Sequence, residues 1–381
     1  MKIPFLGYQL KSYLGIKILP ALIGMNVGSR QEFEAALQAP SIFTVIAILF
    51  GLRFRRLIGK LVTPLARGMH RIFGSNDQIR VDLGADKVVS GDFGASAEVS
   101  PVQGLQRPQV PHDGAFPKVI FQTWKSKISL PFNYAHWSES LRRLNPDFDY
   151  ILWDDTDNRR FIEDYYPWFL PFYDAYPREI YRADAVRYFF LYQYGGLYVD
   201  MDTECLKSLS PLFHSGDVWL GRMGSDPAFP HSIPNAIMAS RPRQEFWLLV
   251  MHFLVENASA WGDANAMANR SPEAMTGPIL LKRAYDTYVS SARRGVQEMI
   301  QSIAARLPDS LRLHAEPSKI VLLAPDVWYP IDWSNVIHFR LLSEITSAQL
   351  LLSEAVKRRL FPKSFLTTYW THSWKAPAAR D

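Results

Sequence analysis

The chain is 381 residues long, enough for one large domain or two ordinary ones with a sizeable core. Its 48% apolar content, with 11 Trp, 17 Tyr and 23 Phe, excludes a wholly disordered chain and favours an aromatic-lined cleft as well as a core. A formal charge of +5 does not point to nucleic acid, and a single cysteine, Cys205, excludes an intrachain disulfide framework and a cysteine-rich zinc site.

Residues 1–30 carry Lys2, Lys11, Lys17 and Arg30 and no acid. Between Glu34 and Arg53 run eighteen uncharged residues, interrupted by Pro40 and strongly apolar only in the last dozen. A bilayer needs roughly twenty apolar residues, so the stretch is borderline as a span. Behind it stand Arg53, Arg55, Arg56, Lys60, Arg67 and Arg71 with no acid between them. The expectation is a helical, membrane-associated region over residues 1–73: a span, an interfacial helix with a basic face on anionic lipid, or a buried helix. The apolar run lies too far from Met1 to read as a cleavable signal. Residues 74–115, rich in Gly, Ser, Asp and Val, read as a linker.

A domain opens at Phe116 and continues to the end, residues 116–381. KVIFQTW is a buried strand ending at Trp124. A helix from Tyr134 to Leu144 stops at Asn145-Pro146, and DYILW, Asp149–Trp153, forms a second strand closing in Asp154-Asp155. Strand, helix and strand at this spacing predict a βαβ unit of an α/β sheet. Residues 158–173 are aromatic and helical, punctuated by Pro167 and Pro171. Pro177, as an N1 proline, opens a helix from Arg178 to about Tyr192. Asp184 and Arg187 share a face of it, either neutralising each other or pointing at a ligand. Further strands are expected at 218–221 and 236–239 and a helix over 244–257. Thr276-Gly277-Pro278 caps a helix through Tyr285.

The Gly-Gly break after the 178–192 helix leads through LYV to Asp200-Met201-Asp202. Two carboxylates at the end of a buried strand are costly unless a cation or hydrogen bonds compensate them. Oxygen ligands at this spacing suit manganese or magnesium, with one Asp acting directly and the other directly or through water. Such a cation suits a leaving diphosphate, whose growing charge it stabilises. Cys205, just beyond, is expected to be a small core residue. The sequons at Asn257 and Asn269 are compatible with a lumenal compartment.

The series FPKVIFQTW, RLNPDFDYILWDD, YRADAVRYFFLYQYGGLYVDMDTE, PNAIMASRP, TGP and THSW resembles the DXD-containing sugar transferases of glycosyltransferase family 32, over roughly Phe116 to Trp374. That family includes initiating α-1,6-mannosyltransferases and inositol-phosphoceramide mannosyltransferases. The resemblance implies a GT-A fold, a Rossmann-like α/β sandwich for nucleotide-diphospho-sugars. It implies retaining, metal-dependent transfer of a hexose, foremost mannose from GDP-mannose, to a glycan or glycolipid acceptor at a Golgi or other endomembrane. Attachment at a cytosolic face is the alternative location; a donor of UDP-glucose or UDP-galactose, or an inactive membrane-associated binding protein, are the alternative functions. By the same resemblance Asp200 and Asp202 hold the metal and Asp184 and Arg187 the donor sugar. Trp124 stacks on the base, and Asn235 lies near the donor or acceptor sugar. His372 is a candidate metal or diphosphate ligand, and Trp374 a lid over the leaving phosphate.

Overall fold

The computed structural model describes residues 115–259, 270–290, 292–308, 317–335 and 354–371, with a few single positions besides. The expected region 1–73, nearly all of the linker, Asn269, His372 and Trp374 lie outside them. The described residues fall in two compact units, one within 92–332 and 363–381, the other within 333–362.

In the first unit, β1 (Val119–Thr123) is the buried run VIFQT, and α1 (Phe132–Leu144) follows it. Asn145 ends the helix, donating to the Leu141 carbonyl (2.9 Å) and accepting from the Leu209 N–H (2.7 Å). β2 (Asp149–Trp153) returns parallel to β1, pairing Val119 with Asp149 through Thr123 with Trp153, which completes the expected βαβ unit. Asp154 caps α2 (Asp155–Tyr165) in a reciprocal box with Asp157. Then come α3 (Leu170–Ala175) and α4 (Glu179–Tyr194). Helix α4 starts later than expected. Arg178 is the extended N-cap (φ −143°, ψ 152°), so Pro177 stands outside the helix and is not its N1 residue.

Twelve of the sixteen α4 residues are buried, and Asp184 and Arg187 are among them, whereas Glu179 in its first turn is exposed. Gly195 and Gly196 turn the chain into β3 (Gly196–Val199) at φ +69° and +83°. A Cβ on Gly196 would sit 2.4 Å from Val119 Cγ1, and one on Gly195 2.7 Å from the Ser240 carbonyl. Close approach to β1 and left-handed backbone together require glycine here. Next come β4 (Thr203–Cys205), β5 (Val218–Gly221) and β6 (Ile237–Ser240).

Helices α5 (Glu245–Ser259), α6 (Pro272–Met275), α7 (Pro278–Ser290) and α8 (Arg293–Ala304) follow, α7 running past the expected Tyr285. Asn257 on α5 donates from Nδ2 to the Ala274 and Met275 carbonyls (3.2 and 2.9 Å), which engages the atom a glycan would need. β7 (Ile320–Leu323) and α9 (Pro325–Trp328) lead on to α10 (Glu354–Leu360) of the second unit, and β8 (Leu366–Thr368) belongs again to the first.

The main sheet has the order β2-β1-β3-β6-β5-β7, with β6 antiparallel to both neighbours, so the α/β sheet is mixed. Helix α4 packs on β3, β6 and α5, and α5 on α7 and α8. Rings fill the core, among them Trp153 at 4.4 Å from Phe190. β4 and β8 form a separate two-stranded sheet beside α1. Among the described residues no helix is long and apolar enough to cross a membrane.

Candidate active site at the ends of β1 and β3

β2 lies on one side of β1 and β3 on the other, so the strand order reverses at β1. In α/β sheets ligands bind beyond the carboxyl ends of the strands at such a point. Trp124 follows β1 there and Asp200 follows β3.

The Asp200 backbone is held on three sides. Its N–H donates to the Ala236 carbonyl (2.8 Å), and its carbonyl accepts from Thr203 N (3.1 Å) and Gln122 Nε2 (3.1 Å). Gln122 is fully buried and is itself fixed by the Tyr150 hydroxyl (2.7 Å). Asp200 Oδ1 accepts from Tyr198 Oη (2.8 Å) and lies 3.1 Å from Arg187 Nη1. Oδ2 has no hydrogen bond or ion pair among the described residues. Burial raises the pKa of Asp200 to about 7; Arg187 pulls it down, and Asp202 and Asp184 add like-charge repulsion.

Asp202 is held by the segment around β8. Thr368 Oγ1 donates to Oδ1 (3.2 Å), and the Thr371 N–H and Oγ1 donate to Oδ2 (2.7 and 3.0 Å). Thr371 Oγ1 also meets Tyr134 Oη at 2.9 Å, and the Tyr134 ring lies 4.7 Å from that of Trp124. A chain of contacts thus joins the ring expected to stack on a base to the second carboxylate. The buried Trp124 Nε1 has no partner among the described residues, but Trp153, Trp168 and Trp328 share that feature, so it does not single Trp124 out.

Asp184 and Arg187 pair at 2.9 Å with side chains 8% and 4% exposed. Arg187 also donates to the Ala183 and Asn235 carbonyls (3.1 and 2.9 Å) and lies over the Tyr198 ring. Burial works against its charge, yet Asp200 and Asp184 hold it protonated. Asn235 Nδ2 donates to Asp184 Oδ1 (3.0 Å) and to Tyr188 Oη (3.2 Å). Burial raises the Asp184 pKa against the opposing pull of Arg187 and Asn235. Its pairs with Asp184 and Asp200 and the hydrogen bond of Arg187 to the Asn235 carbonyl tie the three into one unit.

Asp184, Arg187, Asp200, Asp202 and Asn235 therefore converge, with Trp124 joined through Tyr134 and Thr371. Gln122, Tyr150, Tyr134, Tyr198, Thr368 and Thr371 are the partners that sequence reasoning missed. Only Tyr198 had a local signal, lying two residues before Asp200 on one strand face. The donor set fits a hard divalent cation. Asp200 keeps one carboxylate oxygen unengaged, and Asp202, with three hydrogen bonds, retains acceptor capacity. Among the described residues no group of three or more His, Cys, Asp or Glu side chains stands together, so Asp200 and Asp202 would share the cation with phosphate oxygens, water or a ligand outside the described residues.

Residues 131–221 match the family model described as the glycosyltransferase sugar-binding region containing a DXD motif. The chain is 42% identical over 145 residues to inositol phosphoceramide mannosyltransferase 2 of Schizosaccharomyces pombe, covering 38% of this chain and 40% of that protein. It is 33% identical over 193 residues to mannosyl phosphorylinositol ceramide synthase CSH1 of Saccharomyces cerevisiae, covering 49% and 47%. To the initiation-specific alpha-1,6-mannosyltransferase of Candida albicans it is 33% identical over 120 residues, covering 29% and 31%. The chain thus spans less than half the length of each of these relatives.

Proposed function

We propose, for a chain whose residues 131–221 carry a glycosyltransferase sugar-binding region with a DXD motif, that residues 116–381 form a GT-A-type catalytic domain. It moves a hexose from a nucleotide diphosphate sugar, foremost mannose from GDP-mannose, to a glycan or glycolipid acceptor such as an inositol-phosphoceramide. The observation that carries this reading is the convergence of Asp200 and Asp202 with the buried Asp184–Arg187–Asn235 unit at the sheet's switch point. The names of the relatives support mannose and a ceramide-linked acceptor.

Asp200 and Asp202 would hold manganese or magnesium, whose chemistry is to stabilise the negative charge of the departing diphosphate. Arg187 fixes the Asp200 carboxylate, and Gln122 its peptide. Asp184, oriented by Asn235, accepts hydroxyls of the donor sugar. Trp124 offers its ring face to the base. His372 and Trp374, outside the described residues, are assigned by the resemblance alone, His372 as a metal or diphosphate ligand and Trp374 as a lid over the leaving phosphate. The acceptor hydroxyl attacks on the face from which the diphosphate leaves, so the anomeric configuration is retained. A glycolipid acceptor places the enzyme at an endomembrane such as the Golgi.

The test is donor hydrolysis and thermal stabilisation with GDP-mannose, UDP-glucose and UDP-galactose, each with and without manganese. Manganese-dependent turnover and stabilisation by GDP-mannose are expected. No response to any donor would overturn the transferase reading.

A further inference from the structure

The loop from Trp124 to Pro131 leads from β1 into α1 and begins at the candidate site. Among the described residues three large apolar side chains are exposed: Ile128 (72%), Val289 (57%) and Phe132 (39%). Two of the three stand at this one loop, four positions apart, with exposed Pro131 between them. Leu130 is buried beneath, and Lys127 pairs with Asp157 and Asp154, so the tip is held at both levels.

From Trp124 to Ser138 the chain carries no acid, and of its basic residues Lys127 is paired with Asp157 and Asp154 and His136 lies 3.7 Å from Glu204, which leaves Lys125 as the cation offered to the outside. Lys125 is exposed, with its ammonium 5.8 Å from the centre of the Trp124 ring. An apolar tip with a cationic flank complements an anionic lipid surface. Two side chains and a proline are too small a patch for a stable protein interface, which buries about 800 Å² per partner. Interfacial anchoring needs only a few apolar groups together with basic ones.

We propose that the β1–α1 loop is a membrane-docking wedge. Ile128 and Phe132 enter the headgroup boundary, Lys125 meets anionic headgroups, and the mouth of the site is brought to a lipid-borne acceptor. The inference rests on the glycolipid reading of the acceptor and deepens it.

The test uses the full chain with Ile128→Cys labelled by a polarity-sensitive thiol fluorophore. Cys205 is buried and its thiol is pushed up to about 11, so the label goes to the introduced cysteine. On adding vesicles of phosphatidylcholine with phosphatidylinositol, emission is expected to rise severalfold, and less with phosphatidylcholine alone. Adding Lys125→Ala to the labelled chain weakens the partition about fivefold. The same label at Val289→Cys stays dim. A dim probe at Ile128 on protein that nevertheless sediments with the vesicles overturns the proposal, as does an equal rise at both positions.

Unlabelled Ile128→Ser is expected to keep donor hydrolysis in solution and to lose transfer to a vesicle-borne acceptor; equal loss of both overturns the wedge. A parent chain that hydrolyses no donor refutes the transferase reading alone, because the fluorescence answer does not depend on turnover.

Discussion

Replacing Arg187 by Met removes the cation that serves two carboxylates at once. The Arg187 side chain is 4% exposed and that of Asp184 8%, so water cannot substitute for the lost partner. Breaking a buried pair from one side costs about 3–5 kcal/mol, because the remaining charge is stranded. In a unit of this size that lowers the melting temperature by on the order of 10 °C. The pH dependence gives a second signature. The folded-state pKa of Asp184 is already raised by burial and rises further without Arg187. A carboxyl whose pKa is higher folded than unfolded loses stability as pH rises from its unfolded value through its folded one. The deficit of Arg187→Met, measured by denaturant titration, is therefore larger at pH 7.5 than at pH 5. Adding Asp184→Asn removes the stranded charge and recovers part of the loss. A deficit below about 1 kcal/mol, of the surface-pair size, or strict additivity of the two substitutions would refute the argument.

Asp155 is half-buried beside Glu179 and Asp154, and burial first, then those charges, raise its pKa to about 6. Ionised Asp155 thus costs stability as pH rises from about 4 to 6, and Asp155→Asn should melt higher than the parent at pH 7.5 but not at pH 4. Gly196→Ala places a Cβ against Val119 Cγ1 and its carbonyl (2.4 and 2.6 Å) at φ +83°, which should part β3 from β1. The expected cost is about 3 kcal/mol or more, read as a lower denaturant midpoint; an unchanged midpoint would show that β1 yields freely.

The strands and helices that carry the site were legible because they are short, buried and punctuated. DYILW is alternately packed between an Asn-Pro stop and an acidic cap, and its bounds, Asp149–Trp153, are those of β2. The Gly-Gly break marks the passage from α4 to β3 for a steric reason visible only in three dimensions, the approach to Val119 and Ser240. Asp184 and Arg187 were found because helical spacing puts them together. The hydrogen bonds from Thr368 and Thr371 to Asp202 had no such signal, since they bridge 166 and 169 positions through the pairing of β4 with β8. Gln122 lay inside a strand that reads as plain core, and only its contact with the Asp200 carbonyl distinguishes it. Pro177 shows the limit of local rules: a proline near a helix start need not be its first residue when the next residue is extended.

Asp200 and Asp202 are proposed as the ligands of a cation that also holds the donor's diphosphate. Calorimetric titration of GDP into the parent chain, Asp200→Asn and Asp202→Asn, each with and without manganese, tests this most directly. Manganese should tighten GDP binding to the parent and leave both variants, shown by circular dichroism to be folded at the titration temperature, with the same weak binding in its presence as in its absence. Manganese-dependent binding that persists in either variant would contradict the assignment.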